Sequence, residues 1–264
     1  MALRSALINA MANAARKAQR SLTRDFNEVE QLQVSKKGPA DFVSAADRKA
    51  EKILHQELSK LRPDFGFIME EAGRIEAKDG KTYWVIDPLD GTTNFLHGIP
   101  HFAISIAVQR EGELIAGIVL DVIRDELFWA EKGVGAYMNE RRIRVSARRK
   151  LPEALFATGI PFHGRPGHAQ FLKEMTSVMG EVAGIRRMGA AALDLAYVAA
   201  GRYDGFWEAG LSPWDIAAGI VLVREAGGMV TDLKGGDTMI ETGGIVAAND
   251  VLHGPLLKLL AKSA

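Results

Sequence analysis

Apolar residues return at helical spacing at the start of the chain: Leu3, Leu7, Ala10, Met11, Ala14, Ala18 and Leu22 fall on one side of a helix that can pack onto the rest of the protein. Lys36-Lys37-Gly38-Pro39 breaks the pattern with charge and turn formers, so residues 31–44 read as a loop. A second helix follows. Ser44 and Asp47 have the spacing of a capping box, Ala50, Ile53, Leu54, Leu58 and Leu61 make its stripe, and Pro63 stops it. The period then changes. Residues 65–69 and 83–86 read as short buried strands around a polar segment, 73–81, and residues 102–109, 114–122 and 127–131 as an antiparallel meander turning at Glu111-Gly112 and Arg124-Asp125. Gly133 and Gly135 lead to a short strand near 143–145.

From about Leu151 strands and helices alternate: strand 154–158, helices 168–180 and 189–200, strand 205–208, helix 213–226, strands 229–232 and 244–248, helix 251–262. Such alternation predicts a parallel or mixed sheet covered by helices. The chain is thus an α/β (α+β) protein in two halves, 1–148 with an antiparallel sheet and 149–264 with a mixed one. The basic run 141–150 marks the boundary and reads as a solvated connection.

Composition narrows the chemistry. The 33 basic and 33 acidic residues cancel, so no overall field draws the chain to nucleic acid or an anionic membrane. No stretch nears the roughly 20 apolar residues that span a bilayer, and the N-terminus lacks the apolar run of a signal peptide. With no cysteine among 264 residues, disulfides and thiolate sites are excluded, which fits a reducing cytoplasm; any metal must sit on oxygen or imidazole. His97, His101, His163 and His168 show no helical metal spacing and read as ordinary loop or surface residues. Neither a Gly-x-Ser-x-Gly elbow nor a Gly-Lys-Ser/Thr phosphate loop occurs.

The informative segment is Trp84-Val85-Ile86-Asp87-Pro88-Leu89-Asp90-Gly91-Thr92-Thr93-Asn94-Phe95. An apolar strand ends at Asp87 because Pro88 cannot continue the ladder. Asp87 and Asp90 are then close enough to share a cation, with the Leu89 carbonyl as a third oxygen, a donor set suited to Mg²⁺. Gly91 admits a phosphate close to the backbone, and a helix opening at Thr92 would favour that anion. An ordinary exposed turn uses the same residue types. Asp87, Pro88, Asp90, Gly91 and Thr92 together behind a buried strand are a chance match on the order of 1 in 10,000 in a chain of this length, which favours function.

DPLDGTTNF resembles the first signature of the inositol monophosphatase family. Ser212-Pro213-Trp214-Asp215-Ile216-Ala217-Ala218-Gly219, continuing to Glu225-Ala226-Gly227-Gly228, is similar to the second. Glu70-Glu71, the segment 41–47 and the segment 189–194 match in order and spacing, so the resemblance covers nearly the whole chain and is nearest to the bacterial SuhB-type members. It implies a layered αβαβα sandwich like that of inositol monophosphatase and fructose bisphosphatase, and a magnesium-dependent phosphomonoesterase inhibited by lithium. It also implies a homodimer.

The resemblance further implies two Mg²⁺ ions per site, one held by Glu70, Asp87 and the Leu89 carbonyl and one by Asp87, Asp90 and Asp215. A third, weaker ion through Glu70 and waters is left open. Asp215 alone reads equally as the acid of a normal helix start, Glu70 and Glu71 as a charged strand exit, and Asp47 as a helix cap. The family pattern adds a role for Glu70 in positioning water and a hydrogen bond from Thr92 to Asp47 that aligns the hydroxyl on that water. Met69 stands where relatives carry glycine. Gly91 and Thr92 would hold the phosphate, and Gly189, Ala190 and Glu208 the polyol; helix packing explains 189–192, and an exposed acid explains Glu208, equally well. Ala190 lacks the hydroxyl that many relatives have.

The implied reaction is hydrolysis of myo-inositol 1-phosphate or a similar small polyol phosphate. Alternatives are a related phosphatase of fructose 1,6-bisphosphate, adenosine 3′,5′-bisphosphate or histidinol phosphate, with Arg186 and Arg187 either holding a second anion or solvated, and a regulatory protein binding RNA or the transcription machinery. Lys36 either assists from its loop or is solvated.

Overall fold

Ser5 opens the first helix, α1 (Ala6–Phe26), where the Ile8 N–H donates to its hydroxyl at 3.1 Å and so satisfies one of the donors a helix start leaves over. Ala10, Met11, Ala14, Ala18 and Leu22 are buried, as their spacing predicts; Leu7 is half-buried, and Ile8 next to it is buried in full. The structure is a computed structural model describing residues 4–28, 34–36 and 42–262. Leu3 and Lys37-Gly38-Pro39 lie outside the described residues, as do the side chains of Lys36 and Ser44. In place of part of the loop expected over 31–44, strands β1 (Val34–Lys36) and β2 (Phe42–Ser44) pair antiparallel and lead into α2 (Ala45–Leu61), whose Ala50, Leu54 and Leu58 face the core.

The large sheet is built from β3 (Gly66–Met69), β4 (Gly73–Ile75), β5 (Thr82–Asp90), β6 (Ala103–Arg110), β7 (Glu113–Asp121), β8 (Glu126–Glu131), β9 (Gly135–Met138) and β10 (Arg141–Arg142), with α3 (Thr92–Leu96) between β5 and β6. Its order is β10-β9-β8-β7-β6-β5-β3-β4, antiparallel throughout except for the β3–β5 pair. Alternation along these strands supplies two cores. Trp84, Ile86, Ile104 and Ile106 pack under α1 and α2, while Val85, Ala103, Ala107 and Val119 face the other way.

After a 3₁₀ turn at Leu151–Glu153 come β11 (Leu155–Thr158), α4 (His168–Met179), β12 (Gly184–Arg186), α5 (Ala191–Ala199), β13 (Gly205–Glu208), α6 (Pro213–Glu225), β14 (Met229–Thr231), α7 (Met239–Thr242), β15 (Ile245–Ala248) and α8 (His253–Ala261). The second sheet, β12-β11-β13-β15-β14, is mixed, as the alternation predicts: β11 is parallel to both neighbours, and β15 antiparallel to both of its own. Helices α5 and α6 are sandwiched between the sheets through Leu193, Leu195, Ile220 and Leu222, and α4 and α8 cover the far face over Phe156, Trp207 and Val246. The layering is αβαβα. Each fully buried large apolar side chain in it contributes roughly 1.5–3 kcal/mol.

Three further expectations are corrected. Strand β5 does not stop at Asp87 but runs to Asp90, because a bulge absorbs Pro88: Asp87 is paired with Ser105 and Asp90 with Ala103, leaving one residue extra on β5. Residues 143–145 are not a strand; the short β9 and β10 form the ladder there, and the Ile143 N–H still bonds to the Ala136 carbonyl at 2.9 Å. His101 is buried, 2% exposed, between the two layers, whereas His97, His163 and His168 are exposed as expected. The basic run is largely exposed, yet it is tied down: the Ser146 hydroxyl and Arg148 Nη1 both donate to the buried Asp204.

Candidate functional site

The β5 bulge turns three consecutive chemical groups into one wall. Asp87 Oδ1 accepts from the Leu89 N–H at 2.9 Å, bridging Pro88 and holding the carboxylate beside its own strand. Asp90 Oδ2 accepts from the Ala192 N–H at the start of α5, 2.8 Å away, so the first sheet and the inner helix layer meet at this carboxylate. Gly91 follows with φ +94°, in the left-handed region, and a Cβ there would come within 3.0 Å of the His101 carbonyl. Only glycine makes that turn without strain.

Glu70 follows directly on β3. The turn beyond it is pinned by Glu51, whose carboxylate accepts the Glu71 N–H at 2.8 Å and the Ala72 N–H at 2.9 Å. Met69 adopts no left-handed backbone and buries its side chain in the α1–α2 core, so it is accommodated as an ordinary strand end. Asp215 sits in the first turn of α6 and accepts the Ser212 N–H at 2.7 Å, the capping contact its spacing predicts. Capping leaves it on the cavity wall as well.

One cavity of about 270 Å³ gathers Glu70, Asp87, Leu89, Asp90, Gly91, Thr92, Gly189, Ala190, Glu208 and Asp215. Of the residues assigned a catalytic, metal or substrate role from the sequence, Asp47 alone does not line it. Asp47 lies buried behind Thr92, whose Oγ1 is 3.5 Å from Asp47 Oδ2 and donates at the better distance of 3.0 Å to the Leu89 carbonyl. Among the described residues, the trio of carboxylates whose oxygens come within 4.8 Å of one another is Asp47, Glu70 and Glu71. Glu70, Asp87, Asp90 and Asp215 share the cavity without reaching that spacing.

The electrostatics follow from burial. Asp87 and Asp90 are 2% and 9% exposed. Loss of water holds the Asp87 carboxyl well above its usual range, with Glu70, Asp90 and Asp215 adding repulsion; loss of water does the same to Asp90, aided chiefly by Asp215 and opposed by the Ala192 N–H. Glu208 is pushed up to about 8 by desolvation and then by Asp215, against the pull of Arg187. Asp194, fully enclosed behind it, is likewise held high by desolvation and by Glu208 and Asp90, and its Oδ1 has no hydrogen-bond partner among the described residues.

Such a group of dry carboxylates resists joint ionisation unless a divalent cation joins it. An all-oxygen set of carboxylates and one carbonyl, with the cavity open to substrate, fits Mg²⁺.

Several contributors were not visible in the sequence. Asn94 is buried and its Nδ2 donates to the His101 and Met188 carbonyls, 2.8 Å each, joining the loop after α3 to the loop before α5. Gly159 lies under Glu208: a Cβ would fall 1.8 Å from Glu208 Oε1. Arg165 and Arg187 line the cavity, whereas Arg186 is exposed elsewhere, its Nη1 on the Ile185 carbonyl. Asn94 stands inside the first signature, which was the available signal; nothing along the chain links Gly159 to Glu208.

Residues 3–264 match the inositol monophosphatase family. An inositol-1-monophosphatase of Mesorhizobium japonicum is 58% identical over 98% of this chain and 97% of its own length. A protein of Pseudomonas aeruginosa named Nus factor SuhB is 49% identical over 92% of this chain and 91% of its own. The crystal structure of the extragenic suppressor protein SuhB from Bartonella henselae superposes with a TM-score of 0.96 at 57% identity, covering 98% of this chain and 100% of that one. The chain belongs to the inositol monophosphatase family.

Proposed function

We propose that this chain is a magnesium-dependent phosphomonoesterase that hydrolyses myo-inositol 1-phosphate, or a similar small polyol phosphate, to the alcohol and inorganic phosphate. The observation that carries the reading is the convergence of Glu70, Asp87, Asp90 and Asp215, from β3, β5 and α6, on a single cavity that also contains Gly91, Thr92 and Glu208. The inositol-1-monophosphatase name borne by the Mesorhizobium japonicum relative supports the substrate class.

Glu70, Asp87 and the Leu89 carbonyl would hold one cation, and Asp87, Asp90 and Asp215 a second, with Glu70 able to reach a third through water. When bound, the cations supply Lewis acidity, making water a nucleophile near neutral pH and offsetting charge on the phosphate. The chain's own residues then do the positioning. With its proton turned towards Asp47 Oδ2, Thr92 Oγ1 offers a lone pair to one hydrogen of the attacking water, and the Glu70 carboxylate accepts the other. The N–H groups of Gly91 and Thr92 donate to the phosphate oxygens as charge redistributes. Gly189, Ala190 and Glu208 face the polyol, where Glu208 bonds to ring hydroxyls and Ala190 offers shape alone. In this reading the chain divides near residue 148 into halves 1–148 and 149–264 with the site between them, and it works as a cytoplasmic homodimer. Among the described residues no helix is long and apolar enough to cross a membrane.

The test is phosphate release from inositol 1-phosphate, fructose 1,6-bisphosphate, adenosine 3′,5′-bisphosphate and histidinol phosphate across a magnesium titration, with and without lithium. Magnesium-dependent, lithium-sensitive release led by inositol 1-phosphate is the expected result; no release from any of them would overturn the proposal. Light scattering on the same sample tests the dimer.

The Nus factor name of the Pseudomonas relative favours a second reading, a regulatory protein that binds RNA or the transcription machinery. Capture of such partners from a lysate by an Asp90→Asn variant that cannot turn over substrate would separate that role from catalysis.

A further inference from the structure

Beside the cavity, across a shared wall, lies a second hollow of about 450 Å³ between the start of α4 and the end of β13. Ile160, Phe162, Arg165, Glu208 and Leu211 belong to both. Its character differs from that of the first. Ile160 and Phe162 are 41% and 39% exposed and present apolar surface at the wall between the two spaces. The Arg165 guanidinium lies 5.2 Å from the centroid of the Phe162 ring, a cation–ring pair whose surface suits a further flat group. Phe171 lines the hollow from α4, and Gln170 Nε2 donates to Glu174 Oε1 at 3.0 Å on the same helix.

The two spaces share Ile160, Phe162, Arg165, Glu208 and Leu211 in their linings, so an alcohol that outgrows the 270 Å³ cavity on that side meets the second hollow. The geometry points to this hollow as a specificity subsite for a planar apolar substituent on the alcohol of the phosphomonoester, with Phe162 and Phe171 as its contacts. The inference rests on the phosphatase reading above. A polyol ring satisfied by Glu208 leaves the subsite empty; an ester carrying an aromatic group two carbons from the phosphate reaches into it. No new chemistry is required, since the bond cleaved is still phosphorus to ester oxygen and water supplies the incoming oxygen.

The experiment compares 2-phenylethyl phosphate with ethyl phosphate, both alkyl esters so that the leaving groups are similar, with inositol 1-phosphate measured in parallel on the full-length magnesium-loaded protein. Burial of the phenyl group predicts a kcat/KM about tenfold higher for the phenylethyl ester. Gln170→Trp, which fills the hollow from the surface of α4, and Phe171→Ala, which removes a contact, should each bring that ratio to within about twofold of one while inositol 1-phosphate keeps roughly its original kcat/KM. If Phe171→Ala fails to fold, Gln170→Trp decides the matter. Equal efficiency of the two alkyl esters in the unmodified protein, or a preference that survives Gln170→Trp, overturns the subsite. A change of oligomeric state in either variant with the preference intact does so as well, and assigns the apolar wall to a second copy of the chain. Loss of inositol 1-phosphate hydrolysis in the unmodified protein sinks the phosphatase reading instead.

Discussion

Asp90 and Glu208 show what the site imposes on single residues. Asp90 is almost dry and faces Asp215, so its ionised form is disfavoured in the metal-free chain. Asp90→Asn should therefore raise the metal-free melting temperature while lowering phosphate release by a factor on the order of 10³, comparable to removal of a principal electrostatic stabiliser. Calorimetry and a phosphate assay on the same preparation check both halves of that expectation.

Glu208 gives a pH dependence whose sign can be worked out. Its carboxyl titrates near 4.5 when unfolded and at about 8 when folded, so between these values the native state binds more protons than the unfolded one. Its contribution to stability is complete below about 4.5 and is lost as pH rises to about 8. Thermal midpoints of the metal-free protein over that window should fall more steeply in the parent than in Glu208→Gln. Most of these residues were legible because two signatures carry them in local sequence. Gly159 and Asp194 were not, since their significance comes from Glu208, a side chain distant along the chain. Gly159→Ala tests this: the added methyl must push the Glu208 carboxylate aside, raising KM for inositol 1-phosphate more than it lowers kcat.

Among the elements, β5 departs most from its reading. Proline was expected to end the strand, yet the ladder resumes at Asp90 across a bulge. A proline inside a strand pattern has two outcomes, termination or a bulge, and which one occurs depends on whether the next strand can tolerate the shifted register. Strand β6 can, and that is a property of the neighbour. Helices α1 and α2 were legible from periodicity, the meander from its apolar runs and turn residues, and α4, α5, α6 and α8 from the alternation of strand and helix segments. The strands β4, β9, β10 and β12 and the helix α7 are two to four residues long, too short for a period to show. Gly91 belongs to this scale because it sets the angle between β5 and α3. Gly91→Ala should cost about 1–3 kcal/mol in a urea titration, from backbone strain and the contact with the His101 carbonyl.

At the scale of the molecule, the layered architecture was legible through the family resemblance and the shift from meander to alternation; the joint between the sheets was not. That joint is polar and specific. Asp90 accepts from Ala192, Asn94 donates to Met188, and the Ser105 hydroxyl donates to the Trp214 carbonyl at 3.2 Å, each bond running from the large sheet or α3 to the inner helices or the loop before them. Asn94→Ala removes a buried donor and leaves two carbonyls to find other partners, which should cost about 1–3 kcal/mol and lower kcat through slippage of the loop before α5. Chemical denaturation alongside single-turnover kinetics would register both effects. Asp204 provides a second tie, because the basic connection that reads as a free, solvated stretch is anchored there through Ser146, Arg148 and the Leu155 N–H.

The bond from the Ala192 N–H to Asp90 has a further meaning during biosynthesis. Glu70, Asp87 and Asp90 precede Ala192 and Asp215 by about a hundred residues or more, so a growing chain carries these carboxylates before it has the amide that steadies one of them or the acid that completes the proposed cation set. In that scheme the proposed cation set is completed only when the inner helices dock, and a protein holding its ions is one whose α5 and α6 are in place.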